Sequence, residues 1–342
     1  MVTIKMISER CGLSIAAVSK ALNGQPGISV EKAEQVRQVA REMGYYPNAA
    51  ARTLKTNRSH NIGVLFQDQL FHRLFSVILE AARCQAERYG YDVTFLSNSI
   101  SDLHMSYYEH AKYRQCDGVI IVQGDFSSPS LQRLAESEIP VVSIDHIYNG
   151  RTAVVNDNAG SMEQVVRYLH DEMGHCKIAF IHGEDGDVTR QRLAGFYRGC
   201  LACGIEVPDD YVLPALYARP EASGLATRKL LTLRERPTCI LYPDDMAYLG
   251  GLSELERQGL SVPDDMSCFG YDGIYLADVL RPQLTTYRQD AERMGREAAD
   301  QLISAIEQPK IYLPQTIRVT GTIQPGATVK KWDGEKKSKR FA

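Results

Sequence analysis

The chain has 342 residues, 44% of them hydrophobic and 24% charged, with a net charge of −3. That length suggests two or three domains of roughly 150 residues each, and the composition is that of a globular chain rather than a disordered or fibrous one. No stretch approaches the ~18 continuous apolar residues of a membrane span. Met1 to Met6 lacks the basic-then-apolar pattern of a secretory signal, so a cytoplasmic protein without a membrane partner is expected. Eight cysteines lie in or beside apparent helices and strands, as small hydrophobes do, which fits a reducing compartment.

The charge is unevenly placed. Residues 1–60 carry nine Lys or Arg against four Glu, a net +5, leaving −8 for the rest. A basic head on an acidic body calls for an anionic partner at the head alone. Thr3 is a plausible cap for a short helix that Gly12 stops, with Ile4, Ile7 and Cys11 on one face. Ser14 caps a second helix, Ile15 to Leu22, with Val18, Ala21 and Leu22 inward. Asn23-Gly24 and Pro26-Gly27 are turn chemistry. Ser29 then caps a third helix that runs to Met43 and is closed by Gly44.

Two short helices joined by a tight turn and braced by a third form the helix-turn-helix plan, although a generic three-helix bundle has the same pattern. The outward face of the second helix decides between them. Ile15, Ala16, Ser19, Lys20 and Asn23 include no carboxylate. Lys20 can donate to guanine acceptors, and Ile15 and Ala16 can touch a thymine methyl. The stretch Pro47–Lys55 follows, alanine-rich and basic. A helix of that length is too short to be stable alone in water, so its order depends on what holds it.

From Asn61 strands and helices alternate. Extended segments are predicted at Ile62–Phe66, Tyr91–Leu96, Asp117–Val122, Ile139–Ile144, Lys177–Ile181, Thr238–Tyr242, Ser267–Tyr271, Leu284–Tyr287 and Tyr312–Thr322. Helices are predicted at Leu74–Tyr89, His104–Arg114, Leu131–Ser137, Ser161–Met173, Arg190–Cys203, Ala222–Leu233, Met246–Gln258 and Ala291–Glu307. Such alternation means parallel sheets covered on both faces, with ligand sites beyond the carboxyl ends of the strands. Asp145, Asp244, Asp245 and Asp272 follow predicted strands, and Arg190 and Arg192 open a predicted helix. Asp245 reads best as a cap of the next helix. Phe71 and Phe75 lie near the first strand-helix loop and serve either the core or a ligand.

Thr3-Ile4, Cys11-Gly-Leu-Ser14, Ala17-Val-Ser-Lys20, Leu22-Asn-Gly24, Gly44-Tyr-Tyr-Pro-Asn48 and Ala51-Arg-Thr-Leu-Lys55 together resemble the head of the lac repressor family. Ile62-Gly-Val64, Asn156-Asp-Asn158, Gly174 to Phe180, Arg192 to Phe196, Gly259 to Asp265, Gly270-Tyr-Asp272 and Arg281 to Thr286 extend the resemblance through the body in family order. It implies an α/β protein with a three-helix helix-turn-helix domain, a hinge helix and a two-lobed periplasmic-binding-protein type I-like core of doubly wound parallel sheets.

The divisions expected are a DNA-binding domain at 1–46, hinge and linker at 47–58 and an effector-binding and dimerisation core at 59–328. Within the core, one lobe would take about 61–156 with 288–308, the other about 157–287 with part of 311–328. A basic tail, 329–342, is expected to be disordered.

The resemblance also implies function. The expected activity is a homodimeric transcription regulator, read as a repressor, on a pseudo-palindromic operator, controlled by a small-molecule effector. A sugar is the first choice and a purine or other metabolite the alternative. DNA contacts are expected from Thr3, Ser14, Ile15, Ala16, Ser19, Lys20, Asn23, Asn48, Ala51, Leu54 and Lys55, with Leu54 as an apolar wedge at a central base step. Effector contacts are expected from Phe71, Asp145, Arg192, Tyr217, Asp244 and Asp272. Asp244 stands where the family usually has asparagine, which favours a hydroxyl-rich or cationic ligand over an anionic one.

Neither a metal nor a cofactor is expected. The histidines lack metal-ligand spacing, and the lone Cys200-x-x-Cys203 fits two residues on one helical face. An enzyme, such as a sugar-modifying one, is a remote alternative. Asp264-Asp265 is turn chemistry, and neither a Gly-x-Ser-x-Gly nor a phosphate loop occurs. A transport binding protein would share the body but not the basic head.

Overall fold

The structure is a computed structural model that describes residues 2–24, 26–45, 58–67, 73–100 and 103–334. The chain divides into two compact units, one up to His60 and one from Asn61. The expected hinge, Pro47–Lys55, lies outside the described residues, and with it Asn48, Ala51, Leu54 and Lys55.

Among the described residues of the first unit, local capping sets three helices: α1 (Ile4–Cys11), α2 (Ile15–Leu22) and α3 (Val30–Glu42). The hydroxyls of Thr3, Ser14 and Ser29 accept from the backbone N–H groups of Met6, Ala17 and Lys32, each satisfying an orphan donor at a helix start. Gly12, at φ +64°, ends α1 in a left-handed turn that costs a residue without Cβ little. Ile7, Val18, Ala21, Ala33, Val36 and Ala40 form the small core.

The described residues of the second unit form two six-stranded sheets and one two-stranded ribbon. The first contains β1 (Asn61–Phe66), β2 (Asp92–Leu96), β5 (Gly118–Gln123), β6 (Val141–Ile144), β7 (Thr152–Asn156) and β13 (Thr316–Val319), in the order β13-β7-β6-β5-β1-β2, all parallel. A two-stranded ribbon, β3 (Ser99–Ile100) with β4 (Leu103–His104), lies apart from it. Helices α4 (Arg73–Arg88) and α12 (Ala291–Glu307) bury Leu74, Ile78, Met294 and Leu302 against Ile62, Val64, Ile120 and Val142 on one face. On the other face, α5 (Tyr107–Tyr113) and α6 (Pro129–Glu136) cover Leu65, Val119 and Ile121. The alternation of inward residues along each strand, toward one helix layer and then the other, is the pattern of a buried parallel sheet.

The second sheet runs β14-β12-β11-β10-β8-β9. It comprises β8 (Ile178–His182), β9 (Val212–Pro214), β10 (Cys239–Leu241), β11 (Ser267–Asp272), β12 (Thr285–Arg288) and β14 (Thr322–Gln324), of which only β14 is antiparallel. Helices α7 (Asn158–Arg167) and α8 (Asp187–Ala202) cover one face. Helices α9 (Pro220–Leu231) and α10 (Asp245–Arg257) cover the other. A short helix, α11 (Tyr275–Val279), follows β11. The chain passes between the sheets after β7, after β12 and between β13 and β14.

Several expectations need correction. Strand β7 was not anticipated: its connection from β6 is shorter than the dozen or more residues usual for a parallel crossover, so it reads as loop. Strand β9 was missed for its brevity. The single extended run at 312–322 is two strands, β13 in the first sheet and β14 in the second. Helix α7 ends at Arg167 and gives way to a π turn, Tyr168–Glu172.

The tail is not disordered from 329. Val329 is buried against the second sheet, His175 Nε2 donates to the Lys330 carbonyl (3.0 Å), and Trp332 N donates to the Met173 carbonyl (2.7 Å). An apolar residue and backbone partners on β11 and the α7 side outweigh the basic composition. Residues 335–342 lie outside the described set.

Candidate functional site

A cavity of about 730 Å³ opens between the two sheets of the second unit. Its walls come from the loops after β5, β6, β8, β9, β11 and β12, at the carboxyl ends of parallel strands, where helix starts and irregular backbone leave polar groups facing inward. The first sheet contributes Asp125, Phe126, Asp145 and His146, with Phe75 from α4. The second contributes Glu184, Asp187, Arg190, Arg192, Tyr217, Arg219, Asp272 and Gln289.

Arg192 lies at the centre of the polar wall and is only 4% exposed. Its Nε donates to Asn158 Oδ1 (2.9 Å) and its Nη1 to the Pro243 carbonyl (2.8 Å). The guanidinium lies 3.6 Å from the centre of the Tyr271 ring and 5.5 Å from that of Tyr217. Burial works against its charge, but the two tyrosines and the carboxylates of Asp272 and Asp145 outweigh it and hold its pKa above the ordinary range. Tyr271 is itself fixed, taking a hydrogen bond from Asn156 Nδ2 (2.9 Å) and sharing one with Ser161 Oγ (2.6 Å).

Asp145 and Asp272 both sit on left-handed backbone, at φ +52° and +99°. Strain of this kind costs on the order of 1–3 kcal/mol and clusters at ligand sites. Asp145 Oδ1 accepts from Asn156 N (2.7 Å). Burial lifts its carboxyl to about 6, against the pull of that hydrogen bond and of Arg192. Asp272 Oδ1 accepts from Gln289 Nε2 (2.7 Å). Gln289 is buried, and its Oε1 has no hydrogen-bond partner among the described residues.

Tyr217 packs over Gly183, where an added Cβ would come within 2.2 Å of the ring. Its hydroxyl bonds Thr189 Oγ1 (2.9 Å), and its backbone N–H donates to Glu184 (2.8 Å). At the mouth, His146 Nδ1 reaches Asp187 Oδ2 (3.2 Å) from the opposite sheet and stacks on Phe126 at 4.4 Å. Burial lowers the His146 pKa, and Asp187 partly opposes that shift.

The structure thus brings Asp145, Arg192, Tyr217 and Asp272 to one cavity. Asp244 does not join them. It is the N-cap of α10, with Oδ1 accepting from Ala247 N (2.7 Å) and Oδ2 from Ala218 N (2.7 Å). Asp245, expected to cap, instead buries its carboxylate against Ile274 N (2.8 Å) and Thr286 Oγ1 (2.6 Å). Asp244 takes the cap expected of Asp245, and Asp245 takes a buried structural role rather than a place on the cavity wall, because the residue in extended geometry at the helix start is Asp244. Asp244 meets the cavity only indirectly, by holding the loop that carries Tyr217 and Ala218. Phe71 lies outside the described residues. Phe126, His146 and Gln289 were not anticipated. Only their places directly after strands could have signalled them.

In the head, Ile15 is 48% exposed, and Ala16, Lys20 and Asn23 share its exposed surface. Ser19 is partly buried. Asn23 folds back, donating from Nδ2 to the Ser19 carbonyl (2.7 Å). The hydroxyls of Thr3 and Ser14 are engaged as caps, so any phosphate contact there must share them.

Residues 3–48 match the profile of bacterial regulatory proteins, lacI family, and residues 166–329 match that of a periplasmic binding protein-like domain. The HTH-type transcriptional repressor PurR of Haemophilus influenzae (strain PittEE) is 30% identical over 335 residues, covering 97% of this chain and 98% of that protein. The chain belongs to the lacI family. It is a DNA-binding transcriptional regulator. The probable HTH-type transcriptional repressor ExuR of Bacillus subtilis (strain 168) is another relative, 28% identical over 91% of this chain and 93% of its own.

Family structures share the fold. The lac repressor dimer bound to operator and the anti-inducer ONPF superposes with a TM-score of 0.79 at 22% identity, covering 96% of this chain and 99% of that one. The transcriptional regulator CelR-cellobiose complex gives 0.70 at 24% identity, covering 96% and 100%. Among the described residues, no helix is long and apolar enough to cross a membrane.

Proposed function

We propose that this regulator binds a pseudo-palindromic operator as a cytoplasmic homodimer and senses a neutral, hydroxyl-rich small molecule, a sugar, in the cavity of its core. The observation that carries the ligand class is the acceptor excess of the wall. Among the described residues, six carboxylates (Asp125, Asp145, Glu184, Asp185, Asp187 and Asp272) face three guanidiniums (Arg190, Arg192 and Arg219). Arg190 is already paired with Asp185 and Asp187. Carboxylates accept and do not donate, so they suit hydroxyl groups and disfavour an anion. Gln289 Oε1 is one more buried acceptor on the same wall. Phe75, Phe126 and Tyr217 supply apolar faces for ring carbons.

A lac repressor dimer bound to operator and a CelR-cellobiose complex share this fold, which supports the reading of partner and ligand class. For the head, Ile15, Ala16 and Lys20 on α2 form the base-reading surface, with Thr3, Ser14, Ser19 and Asn23 at its edge. Asn48, Ala51, Leu54 and Lys55 extend it in sequence.

The test couples two measurements on the full chain. Operator sequences are selected from random duplexes, and their release or retention is followed by fluorescence anisotropy across neutral sugars, sugar phosphates, uronates and purine bases. A two-fold symmetric site and a response to a neutral sugar are expected. A response confined to purines or to anionic sugars would overturn the ligand class and leave the regulator intact. Selection of no symmetric sequence would overturn the homodimer.

A further inference from the structure

The Cys200-x-x-Cys203 pair does not converge. Cys200 is buried in the core beneath the second sheet, where burial pushes its thiol up to about 12. Cys203 instead ends α8 and is partly exposed. Helix α8 packs on α7, and α7 finishes in the π turn Tyr168–Glu172, a distortion that recurs at functional sites. This turn carries His170 and Asp171. Their donor atoms and Cys203 Sγ all lie within 4.8 Å of one another, and His170 Nδ1 is 2.7 Å from Asp171 Oδ1.

We propose that His170, Asp171 and Cys203 form a surface binding site for a thiophilic divalent cation of the Zn²⁺ type. An imidazole nitrogen, a carboxylate oxygen and a sulfur make a mixed donor set that such an ion takes with a water in the fourth tetrahedral position. With bonds of about 2.0–2.3 Å, the ligand atoms of that geometry sit roughly 3.3–3.8 Å apart. The observed spacing reaches this by separating His170 from Asp171 slightly and drawing Cys203 inward. Binding releases the Cys203 thiol proton. Nearby Arg167 is held by Glu163 at 3.2 Å, which offsets its repulsion of an incoming cation. The ion would join the ends of α7 and α8, two helices linked by the Asn158–Arg192 hydrogen bond, of which Arg192 lines the cavity.

Cobalt(II) is the probe, added to the reduced full chain after chelation and desalting. One cobalt per chain with a sulfur-to-cobalt charge-transfer band, bleached by Zn²⁺, is expected. Cys203→Ser, which removes the proposed sulfur ligand, should abolish that band. His170→Asn should weaken cobalt affinity at least tenfold, while Cys84→Ser, on α4, should leave everything unchanged. Melting curves of the variants confirm that they fold. Absence of the band in the wild-type chain overturns the site, as does a band of full intensity in Cys203→Ser.

Discussion

Replacing Arg192 by lysine keeps the charge and removes the planar fork. In the wild-type chain Nε and Nη1 serve two different acceptors, Asn158 Oδ1 and the Pro243 carbonyl, while the plane lies 3.6 Å over Tyr271. An ammonium at the end of a flexible stem can reach one acceptor and leaves the other buried and unpaired. That loss costs about 1.5–3 kcal/mol, and the weakened ring contact adds about 1 kcal/mol. A total near 3 kcal/mol corresponds to a fall of roughly 6–12 °C in melting temperature for a unit of this size. Differential scanning fluorimetry on the full chain measures it. Arg192→Met should fall further, because Asp145 and Asp272 also lose their positive neighbour. If Arg192→Lys melts within about 1 °C of wild type and answers the effector normally, the fork is not what organises the cavity, and the reasoning fails.

Three further outcomes are expected. Burial pushes the Asp145 carboxyl up to about 6, above the ordinary carboxylate range, so the native state holds its proton more tightly than the unfolded state. Its contribution to stability is therefore present at low pH, declines as pH rises from about 4 to 6, and is flat beyond. Effector affinity should rise about tenfold between pH 5 and 7 as the accepting carboxylate forms, and Asp145→Asn should abolish that slope in isothermal titration.

Glu254, only 2% exposed, accepts from Arg228 twice (2.9 Å each), from Arg257 (2.7 Å) and from Gln258 (3.0 Å). The Arg228 hydrogen bonds lead in lowering its carboxyl to about 2. Glu254→Gln should cost about 2 kcal/mol at pH 7, discounted because both arginines are exposed to solvent. Its deficit in urea denaturation should close as pH falls from about 4.5 toward 2, where the wild-type carboxylate is protonated. Gly183→Ala should displace the Tyr217 ring at a cost of about 1–3 kcal/mol. Effector affinity should then fall by about tenfold or more, with operator affinity in the absence of ligand unchanged.

What the sequence determined by itself is whatever depends on neighbours along the chain. The caps at Thr3, Ser14 and Ser29, the stop at Gly12 and the basic, carboxylate-free face of α2 follow from residues within a few positions. So does the alternation of strands with helices, and Ala291–Glu307 occurs with the bounds its periodicity predicts. The places of Asp145, Arg192 and Asp272 were legible because parallel sheets put strand ends at one edge.

Tertiary structure decided which atom faces which. Asp244 and Asp245 are indistinguishable by composition. Only the extended backbone leaving β10 makes the first a cap and sends the second to Thr286. Phe126, His146 and Gln289 enter the cavity from three separate loops, and no local pattern joins them. Packing also buries Val329 in the core, and a backbone hydrogen bond ties Trp332 to Met173, despite a basic tail composition. It pairs Cys203 with His170 and Asp171 rather than with Cys200, since those partners are supplied by another helix. Distances between segments remote in sequence are set by burial and shared hydrogen bonds, which residue order alone does not encode.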